Sequence, residues 1–316
     1  MKRIAFFIGV LVSLTMTLPA GGRKDTGKTK AGKLTVVTTI FPSYDFVRHI
    51  AGDQVSLTML LPPGAESHSF EPTPQDIIKI QNCDVFVYGG GESDAWVDQI
   101  LESMDTSRME IITLMDCVEV VEEEIVEGMQ EEEAAEESEE PEYDEHVWTS
   151  PQNAKLIVRK IADVLKRRDE ANAARYEKNT GAYLTQLTEL DASFQKMIQG
   201  AKRKTLVFGD RFPFRYLADA YGLRYFAAFP GCSTETECSA ATVAFLIDKV
   251  RSEEIPVVFH LELSNEKIAD TICEETGAKK RLLHAAHNIT KRDFDRGVGY
   301  YDLMAQNVQA LQEALY

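Results

Sequence analysis

The feature that most constrains the fold is an alternation of short apolar segments with helical ones, which occurs twice along the chain. In the first half, four β-branched apolar segments, beginning with LTVVTTI at residues 34–40, each precede a segment with helical spacing. The second half repeats this order from TLVFG at residues 205–209 to a final helix from about Tyr300. Strands separated by short helices pair in parallel as βαβ units. The pattern predicts an α/β protein with two βα-repeat lobes, each built on a parallel sheet.

A long segment without proline separates the two halves. Residues 171–200 contain one internal glycine and no proline, which is typical of a long, uninterrupted helix. The sequence therefore predicts an N-terminal lobe over residues 33–170, a rigid linking helix over 171–200 and a C-terminal lobe over 201–316. Open α/β sheets bind ligands outside the carboxyl ends of their strands, so we expect a ligand site in the cleft between the lobes.

The first 24 residues have the pattern of a signal peptide. Lys2 and Arg3 precede an apolar run at residues 4–18, and small residues follow at 20–22. The run is short for a transmembrane helix, and an uncleaved anchor is the alternative. We predict export to the periplasm or the cell surface. A lipoprotein would carry a cysteine at the cleavage point, where this sequence has none, so no lipid anchor is expected.

The negative charge of the chain is concentrated in one segment. Fifteen Asp and Glu residues lie between Glu119 and Glu145 without a Lys or Arg, whereas the net charge of the whole chain is −17. The rest is nearly neutral, which excludes the basic face that nucleic acid requires. We predict an acidic disordered loop over residues 118–145. Such carboxylates either concentrate cations near a binding site or form a solvated insertion without a role.

The five cysteines do not form a recognisable metal motif. None of them has CxxC spacing, so a cysteine zinc site is not expected. Cys232 and Cys238 lie in PGCSTETEC and either pair in an oxidising compartment or remain free thiols.

Four of the six histidines fall at predicted strand ends or βα connections, two in each half: His68, His146, His284 and His287. Neutral imidazole is a preferred ligand of zinc and related ions. Their common placement predicts a metal site between the lobes. The other two, His49 within a helix and His260 within a strand, are predicted to be structural.

Three segments of the chain resemble the substrate-binding proteins of bacterial zinc and manganese ABC importers. These are PPGAESHSFEPTPQD, DEHVWTSPQNA and FGDRFPFRYLADAYGL, and the resemblance covers residues 33–316. It implies two α/β lobes rigidly joined by one long helix, with the metal between them. It also implies a receptor, not an enzyme, that delivers the metal to a permease and its ATPase. A monomer is expected.

The resemblance identifies the metal ligands of the first lobe more directly than those of the second. It places the two first-lobe ligands at His68 and His146. The third family ligand, a His or Glu after the first strand of the second lobe, has no histidine to match here, and Asp210 is nearest. The fourth, an Asp after the last strand, falls at His284, with His287 three residues on. The predicted ligand set is therefore His68, His146 and His284, completed by His287, Asp210, Glu262 or water.

A nitrogen-rich ligand set favours Zn²⁺ over Mn²⁺, which prefers more oxygen ligands. A manganese receptor is the nearest alternative. A zinc hydrolase with Glu66 or Glu71 as the general base is another, but the sequence has no HExxH helix. A calcium-binding adhesin or storage protein is a third, but the acidic segment lacks the glycine and alternating ligands of an EF-hand.

Overall fold

The computed structural model describes residues 32–67, 69–129, 142–233 and 238–316. The chain divides into residues 1–32 and a compact unit, Lys33–Tyr316, which contains both predicted lobes. The predicted signal peptide and His68 lie outside the described residues. Among the helices described, none combines the length and the apolar character that crossing a membrane requires.

The first lobe is a parallel sheet of four strands in the order β2-β1-β3-β4, with Leu34 of β1 opposite Val55 of β2. Its second helix has a side-chain cap, since the Thr73 hydroxyl accepts from the Asp76 backbone N–H. The strands are β1 (Leu34–Thr38), β2 (Val55–Met59), β3 (Val85–Tyr88) and β4 (Glu110–Thr113), and the helices are α1 (Phe41–Ala51), α2 (Pro74–Gln81) and α3 (Ala95–Glu102).

The second lobe repeats this architecture, with its parallel strands in the order β6-β5-β7-β8. The last strand ends at Leu282, so the histidines that follow it lie on irregular backbone. The strands are β5 (Thr205–Arg211), β6 (Arg224–Phe229), β7 (Val257–His260) and β8 (Lys279–Leu282), and the helices are α6 (Arg215–Tyr221), α7 (Ala240–Ser252), α8 (Lys267–Thr276), α9 (Lys291–Asp295) and α10 (Tyr300–Leu315).

Two long helices lie between these sheets in the sequence, α4 (Pro151–Arg168) and α5 (Ala173–Gly200). Ser150 caps the start of α4, because its hydroxyl accepts from the Gln152 backbone N–H. The buried face of α5 packs against α4, α1 and α10. One buried apolar cluster includes residues from both sheets and from α5, so the two lobes share a core around this helix. Their boundaries as separate domains remain a prediction.

The acidic segment is only partly as predicted. Residues 130–141 lie outside the described residues, but 118–129 and 142–145 are ordered, and Glu122 and Tyr143 form an antiparallel bridge. The reason is that apolar residues interrupt the acids, and Val121, Val126 and Met129 pack against the large core. The predicted disorder therefore does not extend over all of 118–145.

Two glycines provide a matched test of the packing. A Cβ on Gly209 of β5 would lie 2.4 Å from the Ala269 Cα of α8, whereas a Cβ on Gly181, within α5, would meet nothing within 4 Å. We expect Gly209→Ala to lower the free energy of unfolding by about 1–3 kcal/mol because the backbones must separate. We expect Gly181→Ala to raise it by up to about 1 kcal/mol through helix propensity. Denaturant titration checks both, and equal effects would contradict the packing described.

Candidate metal-binding site

A pocket opens to solvent between the two lobes. Ser67 and His146 line it from the first lobe, and Arg211, Glu262 and His287 line it from the second. The pocket lies beyond the carboxyl ends of strands in both sheets, where the sequence pattern predicts a ligand site.

Two buried histidines from different lobes meet in this pocket. The rings of His146 and His287 are 5.3 Å apart between centroids and nearly perpendicular. Ligand atoms of Glu145, His146 and His287 all lie within 4.8 Å of one another, which is close enough for one ion to contact all three. The indole of Trp148 packs against both imidazoles. The site therefore combines two nitrogen donors and a carboxylate in a buried position.

Hydrogen bonds between the lobes place these two histidines. His146 precedes the short turn that leads to α4, and Trp148 in that turn donates its indole N–H to the Ala285 carbonyl at 2.8 Å. At the start of α1, the Phe41 backbone N–H donates to the His287 carbonyl at 3.2 Å. The irregular backbone that carries His287 is thus fastened to the first lobe on both sides of Ala286.

Asp144 orients the imidazole of His146. Its Oδ1 accepts from the His146 backbone N–H at 2.7 Å and from the ring Nδ1 at 3.1 Å, which fixes the orientation of the imidazole. Burial alone lowers the pKa of His146, but the neighbouring carboxylates of Asp144, Glu145 and Glu123 raise that pKa above its ordinary value. The net negative field favours any cation held at this position.

Glu145 is a site residue that the sequence did not single out, since it is one of fifteen acids in the same segment. Burial raises the pKa of its carboxyl to about 7. Its Oε2 accepts from the Ser93 backbone N–H at 2.9 Å, and its Oε1 accepts from the Ser93 hydroxyl. Gly91 allows this approach, because a Cβ there would lie 2.5 Å from the Glu145 Cβ.

Glu262 and Asp210, two predicted alternatives, differ in position. Glu262 lines the pocket, and its Oε2 accepts from the Ala285 backbone N–H at 2.8 Å, whereas its buried Oε1 has no hydrogen-bond partner among the described residues. Burial raises the pKa of Glu262 to about 7. Asp210 does not line this pocket, and its Oδ2 accepts from the Leu261 backbone N–H at 3.0 Å. Glu262 thus offers an oxygen to an ion, while Asp210 joins β5 to the end of β7.

The two second-lobe histidines are separated. His287 lines the site, but His284 lines a different pocket together with His260. The reason is that Asn307 of α10 accepts from the His284 backbone N–H at 2.8 Å and donates to its carbonyl at 2.7 Å, which holds that residue on the other side of the segment. The predicted ligand set is therefore not brought together as a whole.

The remaining histidines have structural surroundings. His49 stacks on Tyr183 with ring centroids 4.1 Å apart. His260 ends β7, where its Nδ1 is 3.1 Å from the Leu261 carbonyl. His68 lies outside the described residues, although its neighbour Ser67 lines the metal pocket.

Of the carboxylates considered as general bases, Glu66 lines the pocket and Glu71 is exposed outside it. Both oxygens of the Glu66 carboxylate already accept hydrogen bonds, one from Arg211 and one from the Ser69 backbone N–H. All five cysteines are free thiols, including Cys232.

The charges around the histidines predict their order of titration in metal-free protein. Burial lowers the pKa of His284, although a hydrogen bond with Gln306 opposes this shift, whereas the carboxylates beside His146 raise the pKa of that residue. On lowering the pH, we therefore expect His146 to gain its proton first. Titration of the ring protons by NMR checks this order. Asp144→Asn should lower the pKa of His146 and leave that of His284 unchanged, and the reverse order would contradict the field described.

Comparisons with known proteins give one consistent match. A family model described as "Zinc-uptake complex component A periplasmic" matches residues 36–314. The "High-affinity zinc uptake system protein ZnuA" of Bacillus subtilis is 32% identical over 314 residues, which are 98% of this chain and 96% of that protein. The "Zinc-binding lipoprotein AdcA" of Streptococcus pneumoniae is 31% identical over 317 residues, and this chain spans 61% of that longer protein. The crystal structure of the Zn(II)-bound ZnuA-like domain of that AdcA matches with a TM-score of 0.74 and 31% identity, over 90% of this chain and 99% of that domain.

Proposed function

The chain belongs to the family of the periplasmic component A of zinc-uptake complexes, and from that premise we propose that it binds Zn²⁺ between its lobes through His68, His146 and His287. The observation that carries this proposal is the meeting of His146 and His287, from different lobes, in one buried pocket. His68 is assigned by the family resemblance, since it lies outside the described residues. His287 takes the place first expected for His284.

The fourth ligand is proposed to be an oxygen. Glu262 fits this role better than Glu145, because it lines the same pocket and its buried Oε1 lacks a hydrogen-bond partner among the described residues. Both carboxylate oxygens of Glu145, by contrast, already accept hydrogen bonds from Ser93. A bound cation would satisfy this oxygen and favour its ionised form. Three imidazoles and one carboxylate suit the four-coordinate geometry of zinc, whereas Mn²⁺ prefers more oxygen ligands.

The proposed role is that of a receptor that acts outside the cytoplasm. It would capture zinc, hold it between the lobes, and deliver it to an ABC permease driven by an ATPase. Zinc is here a cargo, so the site must also release it. Protons compete with zinc for the imidazoles and for Glu262, whose pKa is about 7, so binding should weaken as the pH falls.

A direct competition tests the choice of metal. Metal-free protein without its first 32 residues is dialysed against equal concentrations of Zn²⁺ and Mn²⁺, and the retained metal is measured by mass spectrometry. We expect one zinc per chain and almost no manganese, in the order of affinities for nitrogen-rich sites. Retention of manganese in preference to zinc would overturn the assignment of the cargo.

A further inference from the structure

We propose that two second-lobe side chains, Asn288 and Arg211, are positioning residues that hold the first-lobe residues 62–67 in place for metal binding. We call this pair the second-lobe clamp. The proposal rests on the proposed function, because residues 62–67 directly precede His68 in the sequence. It is argued only from the described residues on either side of that histidine.

Asn288 forms the stronger half of the clamp. Its side-chain Nδ2 donates to the Pro62 carbonyl at 2.9 Å and to the Ala65 carbonyl at 2.7 Å, so both amide hydrogens bind one turn of the other lobe. Its Oδ1 accepts from the Ile289 backbone N–H at 2.8 Å. Because Asn288 is 2% exposed, water cannot readily replace these bonds. It directly follows His287, so one short segment carries a proposed ligand and a contact that positions the other lobe.

Arg211 contacts Glu66, the residue that follows Ala65 in the same segment. One guanidinium nitrogen lies 3.3 Å from Glu66 Oε1, and another donates to the Ser233 carbonyl at 3.1 Å. Glu66 Oε2 in turn accepts from the Ser69 backbone N–H at 3.0 Å. Arginine cannot ligate a cation, since it has donors and no acceptor. At the end of β5, where the family resemblance leads us to expect a ligand, this chain therefore has a residue that positions its partner lobe.

Each lobe makes hydrogen bonds that hold a segment of the other lobe. The first lobe holds the His287 segment through Trp148 and Phe41, and the second lobe holds residues 62–67 through Asn288 and Arg211. Ala286, between these contacts, has a φ of +57°, a conformation that non-glycine residues adopt only when their surroundings impose it. The ligand positions of each lobe therefore depend on contact with the other. Separation of the lobes would release both segments and with them the metal.

The test is Asn288→Ala, which removes both donors without adding charge. We expect zinc to dissociate roughly tenfold faster or more, the lower end of the range for residues that orient metal ligands. The rate is measured in stopped flow by transfer of zinc to an excess of a chromophoric chelator. We also expect a changed visible spectrum of the Co²⁺-substituted protein at saturation, which a loss of stability alone would not produce.

Asn179→Ala is the matched control. Its amide donates to the Ile50 carbonyl at 3.0 Å, between α5 and α1 and away from the pocket, so its loss should leave the rate and the spectrum unchanged. Arg211→Lys keeps the positive charge but loses the planar guanidinium that contacts two partners at once. If Asn288→Ala does not fold, the zinc dissociation rate and the Co²⁺ spectrum of Arg211→Lys test the proposal instead. A wild-type rate and spectrum in the folded variant would overturn the clamp. Failure of the wild-type protein to bind zinc would instead overturn the proposed function.

Discussion

Replacing His287 by alanine is expected to weaken zinc binding on the order of 100-fold. The apparent binding free energies of about 10–16 kcal/mol known for four-ligand zinc sites correspond to about 3 kcal/mol for each ligand. His146→Ala should have an effect of similar size, since its ring lies against that of His287 in the same buried pocket. The dissociation constant is measured by competition with a chelator of known affinity at constant pH.

His284→Ala is the matched control for this prediction. The two histidines are three residues apart on one irregular segment, but His284 lines a different pocket. Its replacement should therefore change the zinc dissociation constant by less than about twofold. If His284→Ala weakens binding strongly while His287→Ala does not, the ligand assignment in the second lobe is reversed.

Zinc should stabilise the folded protein strongly, because it joins donors from two lobes and the unfolded chain does not hold them together. At a free zinc concentration of 100 times the dissociation constant, mass action adds about 2.7 kcal/mol to the free energy of unfolding. For a protein of this size, the melting temperature should rise on the order of 5 °C. Scanning calorimetry with and without zinc measures this shift.

The same two alanine variants provide the control for the calorimetric shift. His287→Ala should lose most of the stabilisation at the same zinc concentration, whereas His284→Ala should retain it. A full shift in His287→Ala would mean that the stabilising ion binds elsewhere, for example at exposed acidic residues, and not between the lobes.

The alternation of strands and helices could be predicted from the sequence because it depends on neighbouring residues. The β-branched segments, the caps at Thr73 and Ser150 and the proline-free helix α5 are each encoded within a few turns of chain. The short helix α9 was not predicted, since its five residues carry no apolar periodicity. The two parallel-sheet lobes followed from this local order and from the rule that βαβ units pair in parallel.

The site could be predicted only in part. The placement of histidines after strands pointed to the cleft between the lobes, because the carboxyl ends of parallel strands meet at one edge. Glu145 was missed because one acid among fifteen carries no distinguishing signal in the sequence. Burial against Ser93 and Gly91, residues distant in the chain, gives that carboxylate its special surroundings.

The sequence by itself determined which residue types reach the cleft, because strand ends are set locally. Only the tertiary structure decided which of them face the pocket. After β8 ends, the backbone has no regular alternation to direct its side chains, so distant contacts orient them. Asn307 holds His284 away from the pocket, and the Phe41 and Trp148 contacts hold the segment of His287 toward it. These partners are separated from the histidines by as many as 246 positions in the numbering, a relation that no local pattern contains.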